Sequence, residues 1–193
     1  RITLFTCDNN DTWARDVAPI SLIANKASKD SSQFLRLLDF CFNGWGEKFA
    51  AEKDNRINRQ LHEAGLLQGV LESHKDFVLE GGSIESDGER TLFTTTSCLM
   101  APHRNQPLTQ EDIDKQLRLF FPNVERVIWL DYGQLAGDDT DGHIDTIVRI
   151  APNNTLLYIG SHQRPDLSYE CASHAYLFPR RGFRDRRWNA SVS

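Results

Sequence analysis

Short β-forming runs alternate along this chain with two amphipathic helical stretches over brief connections, which restricts the fold to a mixed α/β domain. Leu92–Thr96 is rich in strand formers and follows the turn Ser86-Asp87-Gly88-Glu89. Val127–Leu130 reads as a short buried strand, Ile144–Ile150 as a loosely alternating one, and Thr155–Ile159 as a strand after the turn Pro152-Asn153-Asn154. Over residues 49–67, Phe49, Ile57, Leu61, Ala64 and Leu67 recur at helical spacing. A second helix is expected over 109–121. Thr109 with Asp112 three places on gives it a capping-box start, and Ile113, Leu117, Phe120 and Phe121 give it an apolar face. Arg1–Cys7 also reads as a strand, already under way at the first residue, so a longer gene product is expected. The sequence shows no Gly-rich phosphate loop, low-complexity linker or internal repeat.

Composition narrows the partners. The chain has 193 residues, 39% hydrophobic and 25% charged, which suits one packed domain. No apolar run approaches the roughly 18 residues of a membrane helix, so no membrane partner is expected. Net charge is −5 and uneven: residues 172–193 hold five arginines against Asp185, an excess of +4 that leaves −9 for residues 1–171. An acidic body disfavours nucleic acid and suits a small cation. Cys7, Cys41, Cys98 and Cys171 lie far apart and form no zinc or thioredoxin spacing, which fits reduced thiols in a cytoplasmic protein.

Three polar clusters fall at strand ends or turns, where catalytic groups tend to be presented: Asn10–Asp16, Leu79–Ser83 and Gly137–Asp145. Singly, each has a plain structural reading: a packing anchor with a turn former, a tight glycine turn, a solvated acidic loop. The last is not a calcium loop, because its first ligand position is Gly137 and its closing position is Val148. H-E-x-x-H is absent as well. Together the clusters suit guanidine chemistry. A guanidinium is planar and cationic, and its paired N–H donors match carboxylates. Asp16 and Asp145 are candidates for that clamp. His143 is a candidate to protonate departing ammonia and then activate water, and on a strand its side chain shares a face with that of Asp145. Glu80 is expected to orient the imidazole and raise its pKa, and Trp13 to cover the substrate's methylene arm or stack on its cation.

The segments NDTWARD (residues 10–16), FCFNGWG (40–46), LEGGSI (79–84) followed by Asp87-Gly88, and GDDTDGHID (137–145) resemble, in order, the signatures of agmatine deiminases and the bacterial peptidylarginine deiminases that share their family. Four such motifs in order are highly specific, and the match runs from residue 1 to about residue 160. The resemblance implies a pentein, a five-bladed α/β propeller with its site at the centre, of which residues 1–165 hold part of the blades. It gives His143 the role of general acid/base with Glu80 as its catalytic partner, and assigns the guanidinium to Asp16 and Asp145. It also lines the substrate tunnel with Trp13 and turns Asp139 towards the amine end of agmatine. The implied reaction is hydrolysis of agmatine to N-carbamoylputrescine and ammonia in putrescine synthesis. No cofactor or metal is implied, and the full-length protein is expected to be a homo-oligomer.

The pattern breaks at the nucleophile. Family members attack the guanidinium carbon with a cysteine in a Gly-Gly-Gly-x-x-His-Cys context, and this sequence contains no such segment. Cys171, in Ser168-Tyr169-Glu170-Cys171-Ala172-Ser173-His174, does not match it. Residues 166–193 are read as a frame-shifted end or a disordered basic tail, and the chain as an inactive fragment. Two rival functions stand: a deiminase of C-terminal arginine in peptides, and a guanidine-binding protein without catalysis. The first is disfavoured because Leu37–Gly46 carries no arginine for a substrate carboxylate.

Overall fold

The computed structural model describes residues 2–24, 35–131, 135, 137–152, 155–159 and, for its backbone, 175–179. One unit of two strands, a helical crossover and a third strand recurs along it. β1 (Ile20–Ile23) pairs antiparallel with β2 (Leu35–Cys41). A crossover through α2 (Gly44–Glu47) and α3 (Asp54–Glu63) then brings β3 (Val70–Val78) parallel to β2. The second sheet repeats this order. β4 (Ile84–Ser86) and β5 (Thr91–Thr95) are antiparallel, α4 (Thr96–Leu99) and α5 (Gln110–Phe120) cross over, and β6 (Arg126–Leu130) returns parallel. β7 (Val148–Ala151), β8 (Thr155–Ile159) and β9 (Ala175–Pro179) form a third sheet with both pairings antiparallel. In every sheet the second strand is central. A short helix α1 (Ala14–Val17) precedes the first.

The central strands build the core. All five residues of β5 are buried, as expected for a strand covered on both faces. Leu38, Phe40, Phe77, Leu79, Ile84 and Leu92 pack against Ile113 and Leu117 of α5. That helix starts as the sequence predicts: Thr109 accepts from the Asp112 N–H, and Asp112 accepts from the Thr109 N–H. The strands expected at 92–96, 127–130 and 155–159 are present as β5, β6 and β8.

Elsewhere tertiary packing overrode the pattern. Residues 2–9 form no strand; Ile2 and Leu4 are about nine-tenths exposed, and no described strand pairs with them. The helix expected over 49–67 is only Asp54–Glu63, because buried Asp54 is drawn to the backbone N–H groups of Asn10 and Asp11 and Gly65 adopts φ +70° at the other end. The run 144–150 is split into a 3-10 turn, Ile144–Thr146, and β7. β2 and β3 carry too many charges to show in the sequence pattern. Those charges pair across the strands, Arg36 with Glu72 and Lys75 with Asp39. Cys171, Asn153 and Asn154, and most of the stretch 166–193, lie outside the described residues, apart from β9.

Candidate functional site

Asp16 is held in α1 and is 8% exposed. Its Oδ2 accepts from Trp45 Nε1 at 3.0 Å and its Oδ1 from the Gly82 N–H at 2.9 Å. Trp45 reaches it through an unusual backbone: Gly44, Trp45, Gly46 and Glu47 have φ of 65°, 57°, 88° and 65°. Left-handed backbone at Trp45 and Glu47 is strained, and a Cβ on Gly44 would lie 2.0 Å from the Phe49 carbonyl oxygen. Packing of Trp45 with Val17, Phe42 and Ala51 holds the turn in place.

Glu80 leads into a 3-10 turn, Gly81–Ser83, and is fully buried. His143, 2% exposed, precedes the second such turn. Ile144 anchors that turn in a core with Phe93, Val148 and Leu156. The Asp138 carboxylate accepts from the Thr140 and Gly142 N–H groups at 2.9 and 2.8 Å, and Thr140 Oγ1 accepts from the His143 N–H at 3.0 Å. His143 Nδ1 thereby lies 3.7 Å from Asp16 Oδ1. Gly82 leaves just enough room: a Cβ there would be 2.4 Å from that nitrogen and 2.7 Å from that oxygen.

The structure thus brings Asp16, Glu80 and His143 together. Asp145 has a side chain 20% exposed and is near enough to raise the pKa of Asp16. A guanidinium already rests against Asp145, that of Arg15, with Nε 3.6 Å away. The same guanidinium faces Glu85 at 3.6 Å. Trp13 is 63% exposed, and Asp139 is exposed, with its carbonyl accepting from Lys48 Nζ at 2.8 Å. His143 and Asp145 do not share a strand face, because the 3-10 turn buries one and half-exposes the other.

Burial dominates the electrostatics. It raises the pKa of Asp16 against the opposing hydrogen bonds of Trp45 and Gly82. It raises Asp145 against Arg15 and Arg149, and Glu80 against Arg104. His143 is lowered to about 4, by burial and then by the charge of Arg104. The imidazole is therefore not raised by Glu80 as expected: burial and Arg104 lower it, and the carboxylates that oppose them are Asp138 and Asp141.

Arg104 is the residue that sequence reasoning missed. It stands alone in the loop after α4, with a side chain 0% exposed. Its Nε lies 3.0 Å from Glu80 Oε1, near enough for an ion pair but off the line of a hydrogen bond. Its Nη2 donates to the Thr140 carbonyl at 2.9 Å. Glu80, Cys98 and His143 also place ligand-type atoms within 4.8 Å of one another. Arg104 already supplies positive charge to both Glu80 and Cys98, which opposes a divalent cation there. Burial, and then Glu80, keep the Cys98 thiol well above its ordinary pKa, so it is no thiolate.

Repeated strand–strand–helix–strand units whose turns converge on buried carboxylates and a histidine are those of a pentein-fold protein. The chain belongs to the Porphyromonas-type peptidyl-arginine deiminase family, whose model matches residues 2–181. It is 46% identical to a Porphyromonas gingivalis protein provisionally named an arginine deiminase, over 85% of this chain and 47% of that one, with a TM-score of 0.76. A cysteine-to-serine variant of C. jejuni agmatine deiminase with substrate bound is 39% identical over 86% of this chain and 46% of its own, with a TM-score of 0.74. A Mycoplasma capricolum protein provisionally named an agmatine deiminase is 34% identical over 91% of this chain and 46% of its own. The chain therefore spans about half the length of the curated relatives it matches.

Proposed function

We propose that this chain is the guanidinium-clamping part of an agmatine deiminase, which hydrolyses agmatine to N-carbamoylputrescine and ammonia in putrescine synthesis. The observation that carries this reading is the placement of Asp16. Its carboxylate is pinned at both oxygens, lies 3.7 Å from the His143 ring, and is raised in pKa by burial and by nearby Asp145. Two partly desolvated carboxylates that repel one another gain most from a cation between them, and a guanidinium offers each a pair of donors. The substrate-bound agmatine deiminase among the matching structures supports the choice of cation.

In this reading Asp16 and Asp145 hold the guanidinium, and Trp13 covers the methylene arm. Asp139 faces the amine end. His143, with a pKa of about 4, is neutral near pH 7. A neutral imidazole is the form that accepts a proton, and it becomes the acid for departing ammonia only after receiving one. Glu80 is its buried carboxylate partner. The attacking thiolate and the amidino intermediate belong to a Gly-Gly-Gly-x-x-His-Cys segment absent from this sequence. Residues 1–165 form the body of the partial pentein domain, and from the segment 166–193 the strand β9 joins its third sheet beside β8. The full-length protein is cytoplasmic and homo-oligomeric in this proposal.

The test is calorimetry with agmatine on the chain and on Asp16→Asn. Saturable heat that disappears in the variant is expected, with no sustained ammonia or ureido product from either protein. Absence of heat with the unsubstituted chain overturns the binding assignment, and sustained product overturns the claim that the nucleophile is missing. A peptide ending in arginine, run beside agmatine, is expected to bind more weakly, since no arginine in 37–46 is available for its carboxylate.

A further inference from the structure

Arg104 is set in place by its neighbour. Asn105 Oδ1 accepts from the Val78 N–H at 2.9 Å, and its Nδ2 donates to the Val78 carbonyl at 2.8 Å. The side-chain amide therefore acts as one more residue of β-pairing beside the end of β3. This docks the loop after α4 two residues short of Glu80, and a guanidinium is inserted where no solvent reaches either charge.

Taking a guanidinium out of water is costly unless each donor finds a partner. Arg104 finds partners on two chain segments. Glu80 Oε1 lies 3.0 Å from Nε, and the Thr140 carbonyl and Asp141 Oδ2 lie 2.9 and 3.3 Å from Nη2 and Nη1. A third segment closes over it: a Cβ on Gly46 would lie 2.4 Å from Nη1, so the left-handed turn that carries Trp45 rests directly on the guanidinium. The residues so gathered each hold a member of the site. Trp45 donates to Asp16, Thr140 accepts from the His143 N–H, and Glu80 is itself a member.

We propose that Arg104 is the positioning residue of this site: its buried guanidinium ties Glu80 to the Thr140–Asp141 turn and to the Trp45 turn, and so holds His143 against Asp16. Lysine is a poor substitute, because one ammonium presents a point charge where the planar fork reaches a carboxylate, a carbonyl and a second carboxylate at once. The proposal rests on the guanidine-site reading only for its binding readout.

A second consequence is electrostatic. The groups facing His143 are Arg15 and Asp16 from α1, Glu80, Cys98, Arg104, and Asp138 and Asp141 of its own loop. Arg104 is the cation that most opposes an imidazolium there, and Asp138 and Asp141 favour it.

The test uses the full chain and nuclear magnetic resonance of the histidine ring protons against pH, with His143 assigned by its loss in His143→Gln. Two variants are compared. Arg104→Lys keeps the charge and loses the fork. Arg104→Met combined with Glu80→Gln removes both charges and so strands no buried carboxylate. In the double variant the His143 midpoint is expected to rise above about 4 but to stay below the ordinary 6.5, because burial, the larger cause of the shift, remains. In Arg104→Lys it stays low, while agmatine affinity falls by about tenfold or more. A double variant that is folded by circular dichroism with an unmoved midpoint overturns the proposal, as does Arg104→Lys with unchanged agmatine affinity. If the unsubstituted chain binds no agmatine, the guanidine reading fails, and the His143 titration still decides the role of Arg104.

Discussion

Replacing Gly82 with alanine adds one methyl group between Asp16 and His143. The new Cβ would lie 2.4 Å from His143 Nδ1, 2.7 Å from Asp16 Oδ1 and 3.0 Å from His143 Cε1, where ordinary contact begins at 3.4 Å. Something must therefore move by about 1 Å. Neither neighbour has room to do so, since His143 and Asp16 are 2% and 8% exposed and both lie in anchored turns. Gly82 is not in the left-handed region, so backbone strain adds nothing and the effect is steric alone. Overpacking of this kind costs about 1–3 kcal/mol of stability. An Asp16 displaced by an ångström also loses a charge-assisted hydrogen bond to the ligand, about 1.5–3 kcal/mol, which is roughly a ten- to hundredfold loss of agmatine affinity. Urea unfolding and calorimetry measure the two effects separately. Gly88→Ala is the control, a position with φ of +71° and nothing within 4 Å of the added carbon, where only turn strain is expected. Stability within about 0.5 kcal/mol of the parent together with unchanged agmatine affinity for Gly82→Ala would refute the steric argument.

Trp45→Phe removes the only side-chain donor to Asp16 among the described residues. It is expected to cost about 1–3 kcal/mol and to push the Asp16 pKa higher still, so that agmatine binding weakens at a higher pH on the acid side; an unshifted acid limb in calorimetry would count against it. The pH dependence of stability carries a second signature. His143 titrates near 4 when folded and near 6.5 when unfolded, so below 6.5 the unfolded chain binds more protons and stability falls until about pH 4. The loss is on the order of 3 kcal/mol. Asp16, Asp145 and Glu80 act with the opposite sign: their pKa values are raised on folding, so their contribution is present at low pH and is lost as pH rises through the folded values. Urea unfolding from pH 7 to pH 4 is expected to show a steeper fall for the parent than for His143→Gln; parallel curves would dispose of the buried neutral imidazole.

Much of the site was legible because its residues lie in short contiguous motifs. Glu80 and His143 each border a glycine-bearing turn, and Asp16 closes the contiguous run Asn10–Asp16; connections of this kind are where a scaffold presents its functional side chains. Arg104 left no comparable trace. One arginine in Ala-Pro-His-Arg-Asn is an ordinary surface loop until Asn105 docks it beside Val78. Asp138 was masked in a similar way, since an acidic loop looks solvated until its carboxylate is seen gathering the Thr140 and Gly142 N–H groups. β2 and β3 were missed because their charges disguise them, and those charges are neutralised only across the finished sheet.

The sequence by itself determined the α/β class, the capped helix α5, three of the strands and the family, because those depend on local periodicity and on contiguous motifs. The tertiary structure decided which groups meet and in what charge state. His143 is neutral because burial and Arg104, thirty-nine positions away in the chain, both act on its ring. Desolvation and pairing depend on distances through space, and spacing along the chain does not contain them.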